Sequence, residues 1–214
     1  MQWKLYGRNS VLLTFADAAG PTALARSRAL SEFLERQPPP SLVEYVPAFT
    51  TMLLEFETSA FEESRIPELV HKLESALRTE PAPGPLREIR VIYDGPDLRR
   101  VAEAHQLTER EVCELHSARI YDVYILGFSP GFPYLGELDR RLHTPRLSSP
   151  RLRVPAGSVA IGGSHTGIYS IETPGGWNII GHTSTRLFDS AQTDPRNMFL
   201  LTPGDRVRFV PESQ

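Results

Sequence analysis

Five arginines fall within one proline-containing segment of fourteen residues: Arg140, Arg141, Arg146, Arg151 and Arg153. A guanidinium group presents paired N–H donors that match carboxylate and phosphate oxygens, and proline turns hold such groups in place. The segment is therefore a candidate anion-binding loop. On composition alone, a solvated loop explains the same residues equally well, because exposed arginine is common.

Two rigid turns carry large aromatic side chains, one at residues 127–136 and one at residues 174–177. Aromatic side chains on rigid turns wall a binding cleft or cap the end of a β-barrel. Taken alone, these two turns favour the cap.

Several familiar catalytic motifs are missing or incomplete. No lysine follows Lys72, which excludes a Walker A loop, and the paired glycines do not form a GxGxxG fingerprint. Residues 127–131 match G-x-S-x-G, but Pro130 follows Ser129 where a nucleophile elbow requires a helix. The six histidines lack HExxH spacing and there is one cysteine, so no metal site is predicted.

Composition limits the kind of partner. The formal net charge is −3, which gives no basic excess for nucleic acid or an anionic membrane surface. The single cysteine, Cys113, forms no intramolecular disulfide, and the sequence shows neither a secretion signal nor an apolar run long enough to span a membrane. We therefore expect a cytoplasmic protein with no nucleic-acid or membrane partner.

Helices and strands must position the candidate site residues. The apolar periodicity of the sequence predicts that these elements form two domains. In residues 1–78, strand patterns and two helices with one apolar face each, near 22–35 and 66–78, give the order ββαββα. This order predicts a ferredoxin-like α+β domain with its helices on one face of an antiparallel sheet. Residues 79–87 are rich in proline and predict a linker.

Residues 88–214 begin with a predicted strand at 89–93 and helices at 97–105 and 108–118, the second opened by a capping box of Thr108 and Glu111. A strand follows at 121–126. Ten of the fifteen glycines lie between Gly127 and Gly181, separated by short apolar runs. Many short strands joined by glycine and proline turns indicate a mostly-β barrel or sandwich.

Taken in order, these motifs resemble one known family. The segments are Gly127-Phe128-x-Pro130-Gly131-Phe132-x-Tyr134-Leu135-Gly136, Pro145-Arg146, Pro150-Arg151, Val154-Pro155-Ala156-Gly157-Ser158-Val159, Thr166-Gly167-Ile168-Tyr169, Pro174-Gly175-Gly176-Trp177 and Pro203-Gly204-Asp205. Their order and spacing are similar to those of the 5-oxoprolinase B-subunit family. This family is also called allophanate hydrolase subunit 1, or sporulation-kinase-inhibitor-like, and contains a carboxyltransferase domain.

The resemblance implies a cyclophilin-like β-barrel as the second domain. It also implies a hydrolase subunit that is inactive alone and works with a larger, homologous C-type subunit and a third, A-type subunit. The family activity is the ATP-dependent opening of 5-oxoproline, a cyclic amide, to glutamate. ATP with Mg²⁺ is then expected to be bound at least partly by the larger partner.

The resemblance also implies the site residues. The expected catalytic residues are Arg146, Arg151 and His116, with the two arginines clamping phosphate or carboxylate. The expected substrate-binding residues are Ser158, Thr166, Tyr169, Trp177, Phe132 and His165. The sequence departs from the family pattern at His165, Ser170, Asn178 and His182, which leaves the substrate open.

Three other functions fit the same resemblance. The chain would act on urea-derived substrates as part of an allophanate hydrolase or urea carboxylase, or bind a histidine kinase as an inhibitor. A stand-alone prolyl isomerase is the weakest of these, because a cyclophilin-like fold does not bring a cyclophilin site with it.

Overall fold

A computed structural model describes residues 1–78, 82–194 and 197–212. The chain divides into two compact units, Met1–Ala82 and Pro83–Gln214. The linker predicted at residues 79–87 spans this division, and its first three residues lie outside those described. Its last residues are strand, because β5 begins at Leu86, where it starts to pair with a distant strand.

The amino-terminal unit contains four strands and two helices in the order ββαββα, as the apolar pattern indicated. Their bounds are β1 Gln2–Leu5, β2 Ser10–Thr14, α1 Pro21–Arg36, β3 Leu42–Pro47, β4 Thr51–Phe56 and α2 Ile66–Ala76. The strands form an antiparallel sheet of order β1-β2-β4-β3. Alternate residues of β2 and β4, such as Val11, Leu13, Met52 and Leu54, are fully buried and form this unit's core with side chains of both helices.

The carboxy-terminal unit contains nine strands and two helices within its described residues. Their bounds are β5 Leu86–Val91, α3 Leu98–Ala104, α4 Glu109–Ser117, β6 Ile120–Leu126, β7 Pro133–Gly136, β8 Arg151–Val154, β9 Ser158–Gly162, β10 His165–Ile168, β11 Thr173–Gly175, β12 Asn178–His182 and β13 Arg206–Pro211. The predicted capping box is confirmed: the Thr108 hydroxyl accepts from the Glu111 N–H, and the Glu111 carboxylate accepts from the Thr108 N–H.

Seven of these strands form one curled sheet of order β12-β9-β10-β7-β6-β13-β5. Its two edge strands meet, because Ile92 and His182 exchange both backbone hydrogen bonds at 2.9 Å. The inside is filled by apolar side chains such as Val123, Leu135, Ile161 and Val207, all fully buried. The remaining strands, β8 and β11, form a separate two-stranded ribbon.

Three short strands have no counterpart in the prediction: β7, β8 and β11. Each has four residues or fewer, and β7 and β11 contain proline. A run this short shows no clear alternation of apolar and polar residues, so its pairing with other strands decides its structure.

Candidate functional site

A cavity of about 300 Å³ opens on the carboxy-terminal unit; we call it the aromatic cleft. Its walls come from β7, the turn before β7, the 146–150 loop, and the segment around β11. The residues that line it are Phe128, Phe132, Tyr134, Arg146, Leu147, Pro150, Tyr169, Pro174, Gly175, Gly176 and Trp177. Both aromatic turns found in the sequence contribute to it, and so does part of the arginine-rich segment.

Phe132 is the centre of the cleft's aromatic floor. Its ring makes edge-to-face contacts with Tyr134, Tyr169 and Trp177, at centroid distances of 5.2, 5.2 and 5.4 Å. Phe132, Tyr169 and Trp177 are each at most 5% exposed, so the rings hold one another in fixed orientations. The floor is therefore rigid and apolar.

Two glycines make room for these rings. A Cβ at Gly162 would lie 2.5 Å from the Trp177 indole, and a Cβ at Gly175 would overlap the Tyr169 hydroxyl. No side chain larger than hydrogen fits at either position unless an aromatic ring moves.

Arg146 supplies the positive charge of the cleft. Its side chain is exposed, and its guanidinium carbon lies 5.7 Å from the centroid of the Trp177 ring. Within the described ranges no carboxylate forms an ion pair with Arg146, so its charge is compensated only by the ring face. Asn178 supports the loop behind it, because its amide donates to the Pro145 carbonyl at 3.0 Å.

Tyr169 adds a polar group to the apolar floor. Burial raises the pKa of its phenol, while a hydrogen bond at the Trp177 backbone and the nearby charges of Arg146 and Arg151 act in the opposite direction. Because the pKa is raised above its usual value near 10, the phenol stays protonated at neutral pH and can donate a hydrogen bond.

Arg151 lies beside the cleft and not in its lining. Its backbone pairs with that of Gly175, which does line the cleft. Its guanidinium Nη2 donates to the Asp97 carboxylate at 2.8 Å. Unlike Arg146, Arg151 already has an acidic partner.

His116 and Thr166 lie in the core of the curled sheet, and both are completely buried. The Thr166 hydroxyl donates to the Ala160 carbonyl, so it accepts from His116 Nε2–H at 2.8 Å, and His116 Nδ1 accepts from the Tyr93 hydroxyl. Burial lowers the pKa of His116 from 6.5 to about 3. A neutral, fully bonded imidazole in this position supports the packing and does not reach the cleft.

Two further predicted residues are also outside the cleft lining. Ser158 is buried at the start of β9, and its carbonyl accepts from the Tyr169 N–H at 2.9 Å. His165 begins β10 near the edge of the Tyr124 ring, and burial lowers its pKa. Of nine predicted residues, the structure thus brings Phe132, Arg146, Tyr169 and Trp177 together, which is fewer than the sequence suggested.

The remaining departures from the family pattern make structural contacts. The Ser170 hydroxyl donates to the Pro130 carbonyl at 2.5 Å, and His182 Nδ1 lies 2.8 Å from the Asp94 carboxylate near the surface. Both hold turns of the backbone.

Three residues in or beside the cleft were not among the predicted site residues: Phe128 and Tyr134, which line it, and Asp97, which pairs with Arg151. Phe128 and Tyr134 stand in the aromatic motif, so their place beside Phe132 was a usable signal. Phe128 is 62% exposed at the cleft rim and has a left-handed backbone with φ 69°. Asp97 offered no such signal, because its partners are distant in the chain.

A second cavity of about 500 Å³ lies in the amino-terminal unit, between the residues after α1 and those of α2. Its floor is apolar, and the cations on its rim, Arg65 and Lys72, form ion pairs with Glu62 and Glu68. None of the residues singled out from the sequence lines it. Its charges are compensated, which makes it a weaker candidate than the aromatic cleft.

The structure offers no metal centre in the part of the chain that it describes, where no three histidine, cysteine or acidic side chains converge. Ser129 lies in a turn that no helix follows, which removes the nucleophile-elbow geometry. Across the same residues, every helix is too short or too polar to cross a membrane.

Comparison with known proteins identifies the family of this chain. The family model described as "Carboxyltransferase domain, subdomain C and D" matches residues 1–199, and the chain belongs to this family. A protein from Escherichia coli O157:H7, named as the B subunit of 5-oxoprolinase, is 44% identical over 217 residues, which cover 98% of this chain and 95% of that protein. A protein of the same name from Bacillus subtilis (strain 168) is 37% identical, with 95% and 90% covered.

Solved structures share the fold. The crystal structure of TTHA0988 superposes with a TM-score of 0.85 at 40% identity over 96% of this chain, which spans 40% of that longer chain. The K. lactis urea amidolyase is 19% identical with a TM-score of 0.76 over 99% of this chain, which spans 15% of that protein. The latter likeness shows the fold alone.

Proposed function

We propose that this chain is the B subunit of an ATP-dependent 5-oxoprolinase, a hydrolase active only in complex with its partner subunits. The observation that carries the proposal is Arg146, a cation with no acidic partner among the described residues, held over a rigid aromatic floor. The 44% identity across 98% of the chain to a protein named as a 5-oxoprolinase B subunit supports the same conclusion.

The chemistry of the cleft matches the proposed substrate. 5-Oxoproline has a small, flat lactam ring and one carboxylate. The guanidinium of Arg146 suits the carboxylate through paired, charge-assisted hydrogen bonds. The rings of Phe132, Tyr169 and Trp177 suit the ring of the substrate, and the Tyr169 phenol suits one of its oxygens.

ATP and Mg²⁺ do not fit the residues of this chain. Within the described ranges no acidic cluster is present for Mg²⁺, and a cleft of about 300 Å³ with one free cation suits a small carboxylic acid better than a triphosphate. We therefore assign ATP and Mg²⁺ to the larger C-type subunit, and we propose an A-type subunit as the third component.

The predicted site residues outside the cleft receive other roles in this proposal. His116 and Thr166 hold the sheet behind the floor, and Ser158 and His165 support the strands that carry Tyr169 and its neighbours. None of these four contacts substrate in the proposed complex. Arg151 supports the wall of the cleft through its backbone pairing with Gly175.

We also propose a more specific fold for each of the two units. The contact between the edge strands β5 and β12 supports a closed, cyclophilin-like barrel in the carboxy-terminal unit. The β2-α1-β3-β4-α2 part of the amino-terminal unit, with its antiparallel strand order β2-β4-β3, supports a ferredoxin-like fold for this unit. We also propose that the protein works in the cytoplasm, since its one cysteine, Cys113, is free.

The direct test is 5-oxoproline-dependent release of ADP. The chain alone is compared with the chain purified together with its C-type and A-type partners. We expect release only from the assembled complex. A stable complex that releases no ADP with 5-oxoproline would rule out 5-oxoproline as the substrate. Activity of that complex with urea or allophanate would then assign the chain to urea metabolism. Failure to form any complex would favour a binding module instead.

A further inference from the structure

Two hydrogen bonds hold the backbone on either side of Arg146. The residue before it is held by the Asn178 amide, which donates to the Pro145 carbonyl at 3.0 Å. The residue after it is Leu147, whose N–H donates to the Gly176 carbonyl at 2.7 Å. Both anchors are neighbours of the tryptophan whose ring lies under the Arg146 guanidinium. The segment that supplies the ring therefore also fixes the backbone from which the guanidinium extends.

Asn178 is completely buried, and both ends of its amide are hydrogen-bonded. Its Nδ2 donates to the Pro145 carbonyl and, at 3.1 Å, to the Ile161 carbonyl. Its Oδ1 accepts from Arg100 Nη1. Since a guanidinium only donates and a carbonyl only accepts, this is the one orientation of the amide that satisfies all three partners. The bond from Arg100 therefore fixes the direction in which the amide donates.

Arg100 lies on α3 and does not line the cleft. Its side chain is exposed, and within the described ranges it forms no ion pair, whereas its neighbour Arg99 pairs with Glu103 at 2.8 Å. A hydrogen bond from a charged donor is stronger than one between neutral groups, and this one reaches a buried acceptor. Arg100 is thus a surface residue whose hydrogen bond orients a buried side chain, and replacing it opens no cavity in the core.

We infer that Asn178 is a positioning residue for Arg146, and that Arg100 acts through Asn178 although it lies outside the cleft. The inference rests on the proposed function for the identity of the substrate, a small cyclic amide with one carboxylate. Arg146 is exposed and lines the cleft, so the substrate carboxylate can reach its guanidinium directly. The rate of the reaction then depends on how precisely the loop of residues 145–147 is held, because a misplaced donor binds the carboxylate less well.

A double-mutant cycle in the assembled complex tests the role of Asn178. Asn178→Leu keeps the branched shape of the side chain and removes its three hydrogen bonds without adding a charge. We expect it to lower kcat/KM for 5-oxoproline about tenfold, because the loop that carries Arg146 is released. In an Arg146→Ala background the same change should lower kcat/KM less than about twofold, because the residue that Asn178 positions is absent. Equal losses in the two backgrounds would overturn the inference.

Replacing Arg100 tests the same connection without altering the core. We expect Arg100→Ala to lower kcat/KM about fivefold, the scale of one hydrogen bond, and Arg100→Lys to recover most of the loss, since an ammonium also donates to Asn178 Oδ1. Arg99→Ala is the matched control, because Arg99 is exposed on the same helix in an ion pair with Glu103. It should keep kcat/KM within about twofold. Melting temperatures of all variants establish that each is folded at the assay temperature. Equal values for Arg100→Ala and Arg99→Ala would contradict the role of Arg100.

A spectroscopic measurement on the full chain does not depend on activity. With ¹⁵N-labelled arginine, the ring current of Trp177 separates the guanidinium signal of Arg146 from those of exposed arginines, and Arg146→Lys identifies this signal by removing it. We expect Asn178→Leu and Arg100→Ala to move the signal towards the exposed values, and Arg99→Ala to leave it in place. A signal unchanged by Asn178→Leu overturns the positioning role even if the complex hydrolyses 5-oxoproline. A displaced signal together with a stable complex inactive on 5-oxoproline overturns the proposed substrate and leaves the positioning role standing.

Discussion

Arg146 is stacked on an aromatic ring and has no carboxylate beside it among the described residues. A guanidinium in this state keeps its hydrogen-bond donors available, whereas one in an ion pair has already committed some of them. The arginine-rich segment is therefore not one functional unit. Arg141 and Arg153 form exposed ion pairs with Asp139 and Glu172, which are the ordinary contacts of a solvated loop.

Replacing Arg146 tests its role in the assembled complex. We expect Arg146→Ala to lower kcat/KM for 5-oxoproline at least about tenfold, because one charge-assisted contact to the substrate is lost. Arg146→Lys should recover part of the loss, since it restores the charge but not the paired donors. Arg110→Ala is the matched control, because Arg110 is exposed on α4 in an ion pair with Glu114. Similar turnover for Arg146→Ala and Arg110→Ala would contradict the assignment.

The burial of His116 leads to a prediction of how the free energy of unfolding depends on pH. Its folded pKa of about 3 is below the unfolded value near 6.5, so the unfolded chain binds a proton that the folded chain does not. This histidine therefore lowers the free energy of unfolding as the pH falls from about 6.5 towards 3, and has no effect above that window. We expect His116→Asn to reduce this dependence in urea titrations at pH 5 and pH 7. An equal pH dependence of the free energy of unfolding in both proteins would mean that folding does not change the pKa of His116.

Some individual residues of the site could be predicted from the sequence, and others could not. Phe132, Arg146, Tyr169 and Trp177 were predictable from a motif. For His116 the resemblance implied a catalytic role, whereas the structure places it on the buried face of α4 that also carries Val112. Asp97 was not predictable, since its partners Arg151 and Ile179 are 54 and 82 residues away in the chain.

At the scale of elements, β9 and β12 carry the floor of the cleft through close packing. Gly162 ends β9 directly beneath the Trp177 indole, and Trp177 immediately precedes β12. The long amphipathic helices and the apolar strands were visible in the sequence because each contains several periods of its pattern. The ribbon of β8 and β11 was not, because neither strand is longer than four residues.

Gly162→Ala tests this packing. The added Cβ would lie 2.5 Å from the indole, so the ring must move, and we expect a loss of about 1–3 kcal/mol in the free energy of unfolding. The tryptophan fluorescence should change, and Arg146 should lose its stacking partner. Gly127→Ala is the control, because nothing lies within 4 Å of its added Cβ. Equal stability of the two variants would mean that the floor is looser than the structure indicates.

At the scale of the whole molecule, the chain consists of two units that each contain their own hydrophobic core. A unit with its own core is expected to fold independently. We expect residues 83–214, produced alone, to unfold cooperatively in urea and to show the near-ultraviolet circular dichroism of ordered aromatic rings. A broad transition without that signal would mean that this unit depends on residues 1–82.

The arrangement of β13 could not be predicted from the sequence. Its apolar residues were visible, but nothing local indicated that it pairs parallel with β5 and antiparallel with β6. Its pairing with β5 joins residues more than 100 positions apart, and its geometry depends on the closure of the whole sheet.

The position of β13 determines how late in synthesis the seven-stranded sheet can be completed. The ribosome produces β5 and β6 early, yet they flank a gap in the sheet that only residues 206–211 fill. Until those residues emerge, β6 is paired only with β7, β5 lacks the strand that pairs with it along its length, and the cleft has no completed sheet behind it. A partner that recognises the completed sheet therefore meets it only after residues 206–211 have left the ribosome.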